Sequence, residues 1–222
     1  MRIALAILSI SFSLRAASLT GSLVDPAGAS VAQALVELVS ETKSYRIQTD
    51  DAGIYQFADL PMGEYTLTFT REWFTTLTVK SIGLSEGEAK RVPEITLTPG
   101  RSCPHYPPRL DFVRLLPAAA LGELRGSVLP PAPGVAVVLI CRTFRACQST
   151  KTDSDGHFSF QMLPAGAYGL SFQRDGFFPE EATGYEYYVN AGVESVYTPV
   201  LLEPCPDGNC KAKIQRILPS CE

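Results

Sequence analysis

Any chemistry in this 222-residue chain must be built from few reactive side chains. His105 and His157 are its only histidines, which excludes a metal site made of several imidazoles. A zinc peptidase would show His-x-x-Glu, yet His105 is followed by Tyr-Pro-Pro and His157 by Phe-Ser-Phe. No Gly-x-Ser-x-Gly elbow and no phosphate-binding glycine loop occurs. Asp153-Ser-Asp155-Gly156 resembles the opening of a calcium loop. The next ligand position is His157, however, and the twelfth is Pro164 rather than glutamate. Asp side chains capping a hairpin turn explain the same residues without a metal. These absences lead to an expectation of no enzyme activity, no catalytic residue, no metal and no cofactor.

Six cysteines, Cys103, Cys141, Cys147, Cys205, Cys210 and Cys221, are an even set and read as disulfides in an exported chain. Cys141 and Cys147 bracket five residues and could staple a hairpin. Aligned on an internal repeat, Cys141 takes the place of inward-facing Leu38 and Cys147 that of outward-facing Ser44, a facing that simple alternation does not reconcile with this expected bridge. The other four could tie linker to tail, for example Cys103 with Cys205, Cys210 or Cys221. Six cysteines allow 15 pairings, and spacing does not choose among them. The run Gly184-Tyr-Glu-Tyr-Tyr-Val189 gathers aromatics suited to stacking on sugars, so Tyr185, Tyr187 and Tyr188 are candidate ligand-facing residues. Alternation puts Tyr185 and Tyr187 on one face and Tyr188 on the other, and one of those faces should be core.

The elements that position these residues repeat. Residues 49–69 and 152–172 share 10 of 21 aligned positions: Thr-Asp-x-x-Gly-x-(Tyr/Phe)-x-Phe, then Leu-Pro-x-Gly-x-Tyr-x-Leu-x-Phe. Each copy opens alike, with Leu19-Thr-Gly-Ser-Leu-Val24 and Leu124-Arg-Gly-Ser-Val-Leu129. Tyr55 and Phe57, then Tyr65, Leu67 and Phe69, alternate with small or polar residues. The second copy repeats the pattern with Phe158, Phe160, Tyr168, Leu170 and Phe172. Period two is the signature of strands with one face toward a core. Seventeen Gly and seventeen Pro divide the chain into short elements. The fold class is all-β: two tandem seven-stranded Greek-key sandwiches over 19–98 and 121–202. A Pro-rich linker of 99–120 joins them, and a cysteine-containing tail runs over 203–222. Leu110 to Leu116 reads equally as a short strand or a helical turn.

These motifs resemble the carboxypeptidase regulatory-like domain family. The resemblance implies a transthyretin-like (prealbumin-like) sandwich related to carbohydrate-binding-like folds, and no peptidase activity of its own. Related adhesin modules of Cna-B type cross-link through a lysine in the opening strand. Neither Leu19–Val24 nor Leu124–Leu129 contains one, so no such bond is expected.

Met1-Arg2, an apolar run from Ile3 to Leu14 and small residues Ala16-Ala17-Ser18 form a secretory leader, expected to span 1–18. The run is too short to cross a bilayer, which takes roughly 20 helical residues. The expectation is a secreted or periplasmic protein without a membrane span in its mature part. A net charge of −4 argues against a nucleic-acid partner. What remains is a non-catalytic interaction or structural module meeting a protein or cell-envelope partner at a strand edge or loop set. The alternative is a carbohydrate-binding protein.

Overall fold

Strand forms wherever large apolar side chains alternate with small polar ones. A computed structural model describes residues 16–100, 110–116, 121–141, 145–181, 187–205 and 210. Among these there are eighteen strands and no helix. Copy one holds β1 (Ala17–Val24), β2 (Leu35–Val39), β3 (Ser44–Gln48), β4 (Ile54–Leu60), β5 (Gly63–Thr70), β6 (Leu77–Leu84), β7 (Ala89–Arg91) and β8 (Ile95–Thr96). β9 (Leu110–Leu115) lies between the copies. Copy two holds β10 (Gly122–Leu129), β11 (Ala136–Cys141), β12 (Arg145–Lys151), β13 (His157–Leu163), β14 (Gly166–Gln173), β15 (Glu180–Glu181), β16 (Tyr187–Val189), β17 (Val193–Tyr197) and β18 (Val200–Leu201).

Both copies use the same pairings. β4-β1-β7 and β3-β2-β5-β6 are the two layers of copy one; β13-β10-β17 and β12-β11-β14-β15 are those of copy two. β7 and β8 run parallel to successive stretches of β1, as β17 and β18 do to β10. β15 and β16 likewise share β14. Counting each broken strand once gives seven strand positions per copy. The inward residues form two apolar clusters, one around Tyr55, Leu67 and Phe69 and one around Phe158, Leu170 and Phe172.

The repeated motifs owe their residue types to specific bonds. Thr49 Oγ1 donates to Val31 O (2.7 Å) and accepts from Ala34 N (2.9 Å); Thr152 does the same with Ala132 O (2.6 Å) and Val135 N (3.0 Å). Asp50 Oδ1 accepts from Ala52 N and Ile54 N, and Asp153 Oδ1 from Asp155 N and His157 N. The glycine that ends each turn sits at φ +74° (Gly53) or +78° (Gly156), where a side chain is strained. At Gly53 a Cβ would also come within 2.4 Å of Leu23 O. In Leu-Pro-x-Gly-x-Tyr the hydroxyl of Tyr65 donates to Pro61 O and that of Tyr168 to Pro164 O, both at 2.7 Å. The corner is locked from the core side. Just before it, Asp59 and Met162 take positive φ (55° and 56°) in a bulge that turns Phe57 and Leu60, and Phe160 and Leu163, inward despite odd spacing.

Residues 110–115 resolve as a strand, and that strand joins the copies. β9 pairs in parallel with β6, Val79 opposite Val113, and antiparallel with β17, Ser195 opposite Val113. One sheet therefore runs β13-β10-β17-β9-β6-β5-β2-β3 through both copies. Val113 is fully buried, Val193 of β17 belongs to the copy-one cluster, and Leu110 packs against both clusters. On the outer face Lys80 lies opposite Arg114, and Glu194 opposite both Arg114 and Glu123. Like charges opposed across strands are unfavourable. The Phe112 ring relieves the cationic pair, with Lys80 Nζ 3.9 Å and Arg114 Cζ 4.7 Å from its centroid. Glu194, only 7% exposed, binds Arg114 Nη1 at 2.9 Å and Arg125 Nε at 2.5 Å. Asn190 Oδ1 adds a bond across the copies by accepting from Thr96 N at 2.7 Å.

Two sequence expectations shift. Ala17 and Ser18, assigned to the leader, are the first residues of β1: Ala17 is buried and pairs with Leu60, and Ser18 pairs with Ala89. The second concerns the alignment of Cys141. Leu38 opposes Leu67, and it is Leu139 that opposes the equivalent Leu170. Cys141 therefore lies two residues beyond the position of Leu38.

Candidate functional site

The residues with chemical potential do not converge. His105 lies outside the described residues. His157 is exposed at the start of β13, with Asp153 Oδ1 3.8 Å from its Nδ1. Asp153, Asp155 and His157 could bring ligand atoms within 4.8 Å of one another, all of them exposed. Asp153 Oδ1 accepts from two backbone N–H groups, as Asp50 Oδ1 does in copy one, where Ala52 and Ile54 stand in place of Asp155 and His157. The turn chemistry accounts for this cluster.

The four cysteines among the described residues pair locally. Cys141 and Cys147 are bridged, with Cα atoms 5.9 Å apart. The β11–β12 ladder slips by one residue between Leu139 and Ile140, and this makes Cys147 the bulged residue. That slip overcomes the facing problem posed by simple alternation, which regular pairing in copy one would have imposed. Cys205 is bridged to Cys210, which overturns the suggested links of Cys103 to either of them. Cys103 and Cys221 lie outside the described residues.

The tyrosines are mostly structural. Tyr187 is 2% exposed and packs edge-on against Tyr197, ring centroids 4.9 Å apart, so it cannot face a ligand. The Tyr197 hydroxyl donates to Tyr188 O (2.7 Å) and accepts from Tyr188 N (2.5 Å). Burial pushes its pKa far above the ordinary phenol range. Tyr188 is half-buried, and Tyr185 lies outside the described residues.

Trp73-Phe74 and Phe177-Phe178 read in the sequence as aromatic pairs at equivalent strand entrances, and Trp73 is not among the candidate ligand-facing residues. It lies on the β5–β6 loop with φ +70° and is 74% exposed. A bulky residue at positive φ is strained by roughly 1–2 kcal/mol. Copy two shows what the backbone itself requires there. Gly176 takes φ +81°, Phe177 N donates to Arg174 O as Phe74 N does to Arg71 O, and Cys205 N donates to Gly176 O as Gly100 N does to Trp73 O. Arg71 Nη1 donates to Gln33 O (3.2 Å) and braces the loop. The loop backbone is thus fixed, and the indole is presented to solvent at a glycine position. Only the repeat, aligned residue by residue, carried a signal for it: Trp73 against Gly176.

Residues 18–98 match the family described as the carboxypeptidase regulatory-like domain. No curated protein matches the sequence. Among solved structures, the Bacillus anthracis TIE protein is similar at 17% identity and TM-score 0.33, over 85% of this chain and 34% of that one. A streptococcal ancillary pilin is similar at 11% identity and TM-score 0.32, over 88% of this chain and 64% of that one. The minor pilin of Streptococcus agalactiae is similar at 14% identity and TM-score 0.30, over 85% and 96%. This chain thus spans about a third of the first of these proteins and just under two thirds of the second. No helix among the described residues is long and apolar enough to cross a membrane. The segment 18–98, with its Thr-Asp-x-x-Gly turn, Leu-Pro-x-Gly-x-Tyr corner and β-sandwich pairing, is thus the part of the chain that is similar to the carboxypeptidase regulatory-like domain.

Proposed function

We propose that the protein is an exported, non-catalytic interaction module in which copy two is a rigid support and copy one makes the contact. The carrying observation is Trp73, a large aromatic held at positive φ and exposed where the duplicate position uses glycine. Strain of this kind persists when something other than stability depends on it. The segments 1–16, 17–98, 99–120, 121–202 and 203–222 serve as leader, first sandwich, joining segment, second sandwich and tail, with the leader shortened from 1–18 so that Ala17 and Ser18 stay in β1. Export to the periplasm or beyond suits the two local disulfides.

The test is site-specific photocross-linking in the producing cell. A photoreactive residue at Trp73 should give a discrete cross-linked species, and the same residue at Gly176 should give none. Equal labelling at the two sites would contradict the proposal. A glycan reading also survives in altered form, because Tyr187 is buried and an exposed indole is itself a good platform for a sugar ring. Binding on a glycan array that is lost on Trp73→Ala would select a sugar rather than a protein as the partner.

A further inference from the structure

One sheet edge of copy one is left unprotected where the equivalent edge of copy two is blunted. These edges are β3 and β12, and among the described residues each pairs only on its inner side, with β2 and with β11. Ser44–Gln48 corresponds to Cys147–Lys151. β12 is blunted in three ways: a bulge at Cys147 pinned by the bridge to Cys141, polar Gln148 and Thr150, and a terminal Lys151. These are devices that keep sheet edges from pairing with other chains. β3 has none of them. Its five pairs with β2 run without a register shift. In place of Gln148 and Thr150 it has Tyr45 and Ile47, which pack against the core yet remain half-exposed.

The phase of the hydrogen bonds sets what the edge offers. Ser40 N donates to Lys43 O (2.8 Å) at one end of the β2–β3 hairpin, and Thr49 N to Ala34 O (3.0 Å) at the other. Alternation between these ends directs the backbone of Tyr45 and Ile47 toward β2. It points the N–H and C=O groups of Ser44, Arg46 and Gln48 to the open side. On the outer face Arg46 Nη2 meets Glu37 Oε1 at 2.7 Å.

We propose that β3 receives an extended segment of a partner polypeptide by strand addition. Apolar side chains of that segment lie beside Tyr45 and Ile47, and an acidic one lies opposite Arg46. This deepens the assignment of copy one as the contact copy and rests on it. Charge selects a partner over a second β3, since antiparallel overlap of all five residues would set Arg46 against its own copy. The suited pattern is already present in β2, where Val36, Glu37 and Leu38 oppose Ile47, Arg46 and Tyr45. β9 shows strand addition at work in the same molecule, completing the edges of β6 and β17 together.

The probe is a fluorescein-labelled peptide with the sequence of Leu35–Val39 between flanking lysines, titrated against the full chain by anisotropy. Saturable binding should weaken at least about tenfold in Arg46→Pro, which removes an N–H aimed away from β2, and in the double variant Tyr45→Gln with Ile47→Thr. Circular dichroism checks folding, and the double variant decides if the proline variant fails to fold. No saturable binding, or binding undiminished in the folded variants, overturns the proposal. So does self-association of the chain that Arg46→Pro abolishes, which would assign the edge to a second copy. Asp155→Ala, at an exposed turn position of copy two, should bind the peptide unchanged; loss there would overturn the β3 site. Failed cross-linking at Trp73 with intact peptide binding would sink the loop assignment alone.

Discussion

The two copies share a skeleton of hydrogen bonds and differ in what hangs on it. Thr49 and Thr152, Asp50 and Asp153, Tyr65 and Tyr168 make the same bonds to within 0.1 Å. The aromatic cores match as closely: Tyr55 to Phe69 is 5.3 Å between centroids, and Phe158 to Phe172 is 5.4 Å. At three positions where the copies diverge, copy one has the residue that is worse for folding. It has Trp73 for Gly176, a half-exposed Tyr45 for Gln148, and at the centre of its core Tyr55 for Phe158. The Tyr55 hydroxyl is buried with no partner among the described residues. Duplication supplies an internal control here. What both copies keep is the requirement of the fold, and what only one carries is open to another explanation.

The largest expected effect comes from cutting the joint. Val113→Asp places an unpaired carboxylate between Val79 and Ser195 and should cost about 3–5 kcal/mol. Two separately tumbling sandwiches should then appear in place of one body, as read by nuclear spin relaxation. Glu194→Ala, also at the joint, should cost less, about 1–2 kcal/mol in a denaturant melt. It strands Arg114 and Arg125, but both are half-exposed and water can solvate them.

Smaller still is Tyr55→Phe, which makes copy one resemble copy two. Removing an unsatisfied buried hydroxyl should stabilise by up to about 1 kcal/mol. The same variant sharpens a pH prediction. Burial raises the pKa of both Tyr55 and Tyr197, so the folded chain keeps protons that the unfolded chain releases above about pH 10. Stability should therefore be unaffected by these groups below that pH and fall as pH rises beyond it. In Tyr55→Phe the fall should be shallower, and an identical slope would show that Tyr55 does not titrate with unfolding.

Much of the frame was legible because its determinants are local. Alternation gave the strands around Tyr55 and Tyr65, and Leu-Pro-x-Gly-x-Tyr gave the corner, since both act within a few residues. The role of β9 was hidden because Leu110–Leu115 is a strand only by virtue of two edges remote in sequence, β6 and β17. The bridge between Cys141 and Cys147 was legible from its hairpin spacing, and only the bulge that brings the two side chains to one face was not, because bulges leave little trace in composition. Tyr187 looked accessible because an aromatic in a strand reads the same whether it meets core or water. Trp73 was masked by its neighbour Phe74, which fills the inward place at the strand entrance.

The reciprocal exchange at this loop bears most directly on the division of labour between the copies. Trp73→Gly and Gly176→Trp should be compared by thermal melting. Relief of strain at residue 73, partly offset by the added freedom of glycine in the unfolded chain, should leave the melting temperature unchanged or raise it by a few degrees. Gly176→Trp should lower it by about 2–4 °C, equivalent to roughly 1 kcal/mol. A clear fall in the Trp73→Gly variant would mean that the indole supports the fold, and the contact surface would have to be sought elsewhere.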